Sequence, residues 1–126
     1  MKTAEDARLT KVAAICRALP ETVRADMGSH AQFMVRKKTF AYFLNDHHGD
    51  GIVSVCTRAF SGENKKLIEA YPKKFYSPAY IGPRGWVGLR LDRGKVDWDE
   101  VRDLVTASYL QAAPKKLAAS VEERIG

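Results

Sequence analysis

The spacing of apolar residues changes period twice along this chain, and that alternation limits the fold more than any other feature. Leu9, Val12, Ala13, Cys16 and Leu19 recur every three to four residues, with Glu5 and Asp6 ahead of them and Pro20 behind. This predicts a first helix over about Ala4 to Leu19. From Thr22 to Arg58 the helical period disappears, and short runs of β-branched and aromatic residues stand between turn signals, the pattern of a sheet. Three strands are expected there: Gln32 to Arg36, Thr39 to Leu44 and Ile52 to Arg58. Arg36, Lys37 and Lys38 would form a basic tip between the first two, and Asp46 to Gly51 would link the second to the third. Strict alternation puts Phe40, Tyr42 and Leu44 on one face and Ala41 and Phe43 on the other, so the middle strand is expected to be central.

Helical spacing returns from Ser61 to Tyr71, with Ser61 as the expected N-cap, Leu67, Ile68 and Tyr71 directed inward, and Pro72 as the stop. Lys73 to Arg84 reads as a loop and Gly85 to Leu91 as a strand. Asp97 then caps a helix whose stripe is Trp98, Val101, Leu104, Val105, Ser108 and Tyr109, and Pro114 opens a last short helix carrying Leu117 and Val121. Short links between strands, with helices before and after, argue for an α+β domain in which an antiparallel sheet carries its helices on one face. At 126 residues one domain with a substantial core is expected. No apolar run reaches the roughly 20 residues of a membrane span, and Met1 to Thr10 is too polar for a signal peptide's core, so the expectation is a cytoplasmic protein, monomeric and off the membrane. Cys16 and Cys56 form no CxxC pair, which argues against a disulfide framework or a zinc cluster; Cys16, on the apolar stripe, reads as core.

The net charge of +6 is unevenly placed: residues 61–96 carry eight Lys and Arg against three Asp and Glu, whereas residues 97–126 carry four against six. A basic middle segment is what a polyanion-binding surface would require, although a merely soluble basic surface has the same composition. No nucleophile elbow, phosphate loop, HExxH or dinucleotide fingerprint is present, and Pro83 in Gly82-Pro83-Arg84-Gly85 removes an amide that a phosphate cradle would use. No enzymatic activity and no cofactor is therefore expected. Asp46, His47, His48 and Asp50 read as a polar turn, since adjacent histidines diverge and further ligands for a closed metal site are not evident. His30 has no partner that the sequence identifies.

Six ordered segments resemble those of the MmcQ/YjbR family: Lys38-Thr39-Phe40-Ala41, Ser77-Pro78-Ala79-Tyr80, Gly85-Trp86-Val87-Gly88-Leu89, Asp97-Trp98-Asp99-Glu100-Val101, Ser108-Tyr109, and Ala113-Pro114-Lys115-Lys116-Leu117. The resemblance runs from about Leu19 to Leu117 and departs from the family's usual pattern at Ala59 to Asn64. It implies a fold similar to that of frataxin-type (CyaY-like) proteins, with two projecting hairpins described as a double wing, and a DNA-binding role. An iron-handling role for such a shape would need an acidic first helix, yet Glu5 and Asp6 are there outnumbered by Lys2, Arg8, Lys11 and Arg17.

Two candidate sites follow. For nucleic acid, Arg36, Lys37, Lys38, Lys73, Lys74, Arg84 and Arg90 would meet phosphates from hairpin tips and loops, with Tyr76, Tyr80 and Trp86 interleaved for stacking on bases. The alternative is a small-ligand or protein-interaction cleft lined by Lys38, Tyr80, Trp86, Ser108 and Tyr109. Against that alternative, Ser108 and Tyr109 also read as residues that pin the long helix to the sheet.

Overall fold

The computed structural model describes residues 5–125. Ala4, the expected start of the first helix, and Lys2 lie outside the described residues. Helix α1 spans Ala7–Arg17; Asp6 is its N-cap rather than part of its first turn, accepting the Arg8 N–H at 2.8 Å. Six strands follow: β1 Thr22–Met27, β2 His30–Val35, β3 Lys38–Asn45, β4 Val53–Arg58, β5 Phe75–Tyr76 and β6 Trp86–Arg90. The remaining helices are α2 Glu63–Ala70, α3 Trp98–Ala112 and α4 Lys115–Ile125. Every strand pairing is antiparallel, in the order β1-β2-β3-β4-β6-β5, which is the α+β arrangement that the sequence implies.

Two strands escape the sequence pattern for physical reasons. At the sheet edge, Val23 and Met27 of β1 stay exposed, so no alternation of apolar residues marks that strand. The two-residue β5 is too short to show a period. Other boundaries shift locally. Gly62, in the left-handed region at φ 82°, takes the N-cap position of α2 with no side-chain cap, where Ser61 was expected. Tyr71, expected to point inward, is more than half exposed.

The helices bury one face of the sheet. Val12 and Cys16 of α1, Val101, Val105 and Tyr109 of α3 and Val121 of α4 share a core with Phe33, Phe43, Val55 and Leu89 of the strands. At a few tens of cal/mol per Å² of apolar surface removed from water, this layer is the main stabilising element. The opposite face carries a smaller cluster of Leu44, Cys56 and Trp86, edged by Tyr42 and Ile81. Gly88 lies beneath the Tyr76 ring so closely that an added Cβ would fall 2.2 Å from a ring carbon, and the Tyr76 hydroxyl meets Ser54 Oγ at 2.7 Å.

Phe40 corrects the simple alternation. Between the pairs Phe33↔Ala41 and Met34↔Thr39 it is an extra residue, a β-bulge. The bulge turns its ring to the helix side, edge-on to Tyr109 at 5.3 Å between centroids, while Tyr42 and Leu44 stay on the other face. Ser108 locks this arrangement: its hydroxyl donates to the Phe40 carbonyl at 2.6 Å and accepts the Arg58 N–H at 3.0 Å. One side chain of α3 thereby ties β3 to β4.

Both thiols are buried, and burial pushes Cys16 up to about 12 and Cys56 up to about 11. The thiolate is the reactive form. Labelling by a disulfide reagent at pH 8 is expected to be slower in the native protein than in urea by about 100-fold or more, because each thiol must be exposed by unfolding before it reacts. Equal rates in the two states would contradict this packing.

Candidate nucleic-acid interface

Strand register fixes where the cations go. Arg58 stands opposite Trp86 and Ser54 opposite Arg90, so the start of β3, the end of β4 and the start of β6 share one end of the sheet. The end of β6, the start of β5 and the β3–β4 connection share the other. The expected nucleic-acid set is therefore split between two ends, and does not form one patch.

At the first end, the two-residue turn between β2 and β3 puts Arg36 and Lys37 at φ 47° and 66°, a left-handed geometry that suits the twist of a tight hairpin. The Arg36 guanidinium is engaged by Glu21 through contacts of 2.6 and 3.0 Å. That hydrogen bond holds the Glu21 carboxyl below its usual range. Lys37 and Lys38 are exposed and make no ion pair among the described residues. Nearby opens a groove of about 990 Å³ whose lining includes Arg58, Lys65, Arg84, Ser61, Ser77 and Gln111. The groove contains no carboxylate in its lining, and its three cations make no ion pair among the described residues. Its walls are tied together by backbone: Ala59 N–H donates to the Gly85 carbonyl at 2.9 Å, Gln111 Nε2 to the Arg58 carbonyl at 2.9 Å, and Asn64 Nδ2 to the Gly82 carbonyl at 3.2 Å. Gly82 packs closely against Ser77, whose Oγ would lie 2.0 Å from an added Cβ and would have to rotate away. The uncapped start of α2 lines the same groove.

At the other end, Lys74 pairs with Glu100 at 2.5 Å and lies over the Tyr71 and Phe75 rings. Arg90 forms a two-point pair with Asp92 at 3.0 and 2.9 Å, which holds the Asp92 carboxyl below its usual 3.8. Lys73 is exposed beside them.

A carboxylate with a depressed folded-state value contributes stability at pH above its unfolded value and loses it as pH falls toward the folded one. Asp92, and Asp6 beside Arg8, both behave this way. Acidification from pH 5 to well below 3.8 is expected to cost these two pairs about 1 kcal/mol together, most of it lost below 3.8, near 4 °C in Tm, and Asp92→Asn is expected to remove about half of that dependence. An unaltered acid limb in the variant would show that the Arg90 pair carries none of it.

The expected ligand cleft does not form. Ser108 and Tyr109 are buried on the helix side, where the Tyr109 hydroxyl donates to the Pro20 carbonyl at 2.8 Å. Trp86 packs on the opposite face against Tyr42 at 5.4 Å. Tyr80, 78% exposed, meets His48, whose connection lies at the far end of β3 from Lys38. For Trp86 and Tyr76 the stacking role is corrected likewise: Trp86 is buried and the Tyr76 hydroxyl is bonded to Ser54. His30 does have a partner, since its Nδ1 accepts the Asn45 N–H at 3.0 Å, and its ring meets His47. Burial, then His48 and His30, lowers the His47 value. Among the described residues no three His, Cys, Asp or Glu side chains are placed to hold a metal, and no helix is long and apolar enough to cross a membrane.

Sequence reasoning missed Arg58, Lys65, Gln111, Arg93 and Lys95. Lys65, Arg93 and Lys95 were visible only as members of a basic segment. Arg58 and Gln111 stand 53 positions apart, and no local signal joins them.

A six-stranded antiparallel sheet with four helices on one face and a carboxylate-free basic groove at one end defines a small α+β domain. The YjbR family model matches residues 17–111, and the chain belongs to that family. The crystal structure of Deinococcus radiodurans protein DR2400, described as carrying domain DUF419, superposes with a TM-score of 0.67 at 19% identity, over 82% of this chain and 76% of that one. At that identity the likeness concerns the fold. No curated protein matches this chain in sequence.

Proposed function

We propose that this protein binds DNA without catalysis or cofactor, as a cytoplasmic monomer that contacts the phosphate backbone with little sequence preference. The supporting observation is the groove at the β3–β4–β6 end, where Arg58, Lys65 and Arg84 face no carboxylate of the lining and the exposed Lys37 and Lys38 stand on the adjoining hairpin tip. Like charges held around one concavity repel one another, and a row of phosphates relieves that repulsion while releasing condensed counterions. Of the two hairpins in a double-wing reading, only β2–β3 brings free cations to the groove. The β3–β4 connection carries Asp46 and Asp50 beside its histidines and lies at the opposite end. Lys73, Lys74 and Arg90 are left out of the interface for the same reason.

Fluorescence anisotropy with labelled mixed-sequence duplex and single strands tests the reading. Five phosphate contacts predict a slope of about −4.5 in log affinity against log salt on duplex, hence a loss of roughly 100-fold between about 50 and 150 mM. No binding at the lower salt, or a slope near zero, would overturn it.

A further inference from the structure

The cations left out of the groove surround a second concavity. A cleft of about 370 Å³ is lined by Lys73, Lys74, Arg90, Arg93 and Lys95, with Leu89 and Val96 among its apolar walls. These residues come from three segments brought together by β5–β6 pairing, reinforced by the Arg90 N–H donating to the Lys74 carbonyl at 2.9 Å. The bend after β6 passes through Gly94 at φ 58°, a left-handed conformation that glycine adopts without strain, and it sets Arg93 and Lys95 on either side of the turn.

The carboxylates at this cleft are already engaged. Asp97 caps α3 by accepting the Asp99 and Glu100 amides at 3.1 and 3.2 Å, Glu100 holds Lys74, and Asp92 holds Arg90. Those two pairs orient the inner cations. Lys73, Arg93 and Lys95 are exposed and make no ion pair among the described residues. Five cations against Asp92, Asp97 and Glu100 leave the cleft a net charge of +2, which favours a ligand with more than one negative charge. The volume falls at the small end of ligand sites, and the apolar walls suit a non-ionic portion beside the charged one.

We propose that this cleft is a binding site for a small diphosphate ester of nucleoside diphosphate size, with the phosphates on Lys73, Arg93 and Lys95 and the apolar portion toward Leu89 and Val96. The site is separate from the DNA groove and does not depend on it.

The test is thermal shift and calorimetric titration of the full chain with ADP, pyrophosphate and adenosine at constant ionic strength, repeated with Lys73→Ala/Lys95→Ala and with Arg84→Glu. ADP and pyrophosphate are expected to raise Tm saturably while adenosine does not. The double variant is expected to weaken ADP at least about 10-fold, two charged contacts being lost, and Arg84→Glu is expected to leave ADP affinity unchanged. Both alanine positions are exposed, so an unchanged ligand-free Tm shows that the variant is folded; amide shifts at Leu89, Gly94 and Val96 on ADP addition provide a second readout in the parent protein. The proposal is overturned if neither phosphate compound gives a saturable shift, if matched sulfate reproduces it, if the double variant binds equally well, or if a mixed-sequence oligonucleotide displaces ADP.

Discussion

Ser108→Val is expected to destabilise the protein by about 3 kcal/mol or more, read as a fall in the urea midpoint at unchanged slope. The hydroxyl is buried and serves two backbone groups at once, donating to the Phe40 carbonyl and accepting the Arg58 N–H. Valine lacks the hydroxyl and strands both, each buried unpaired group costing about 1–3 kcal/mol, and its extra methyl must also be fitted into a fully buried position. The Phe40 carbonyl belongs to the bulged residue, so the ladder offers it poor compensation. Ser108→Thr keeps the hydroxyl and should recover part of the loss. A valine variant within 1 kcal/mol of the parent would show that the bulge satisfies itself.

The second large effect is on binding. Arg58→Glu/Arg84→Glu is expected to lower DNA affinity by about 100-fold at low salt, since two charged hydrogen bonds of about 1.5 kcal/mol each are lost and a tenfold change corresponds to 1.4 kcal/mol. The salt slope should flatten by about two. Both side chains are exposed, and the structural hydrogen bonds at these positions use the backbone of Arg58, so folding should be preserved. Lys73→Glu, at the other end of β6, is expected to change affinity by less than about 3-fold at physiological salt, because exposed charges beyond a Debye length of about 8 Å are largely screened. The reverse ranking would place the DNA on the Lys73 cleft.

The stripe from Trp98 to Tyr109 was legible because a helix buried along one side imposes its period on the sequence. Strands β3 and β4 were legible because both of their faces are buried. Strand β1 was not, since exposure of Val23 and Met27 removes the alternation that marks a strand. Phe40 was assigned to the wrong face because a bulge reverses parity without leaving a residue-type signature. At the site, composition revealed an excess of cations but not their division: Lys73 and Arg84 are only 11 positions apart, yet the run of β6 separates their ends of the sheet. The pairing of Arg58 with Gln111 across the groove is purely tertiary.

The β2–β3 turn is built from residues that do not favour its geometry. Arg36 and Lys37 both occupy the left-handed region, where Asn-Gly would be relaxed and side chains of this size cost free energy. Whatever the tip contacts, its charge is carried at the expense of thermal robustness: the hairpin is a place where consensus turn chemistry would make the protein hardier and electrically blunter. Engineering this domain for heat resistance would thus begin by removing Lys37, one of the cations assigned to DNA, so that in this fold durability and affinity draw on the same residue.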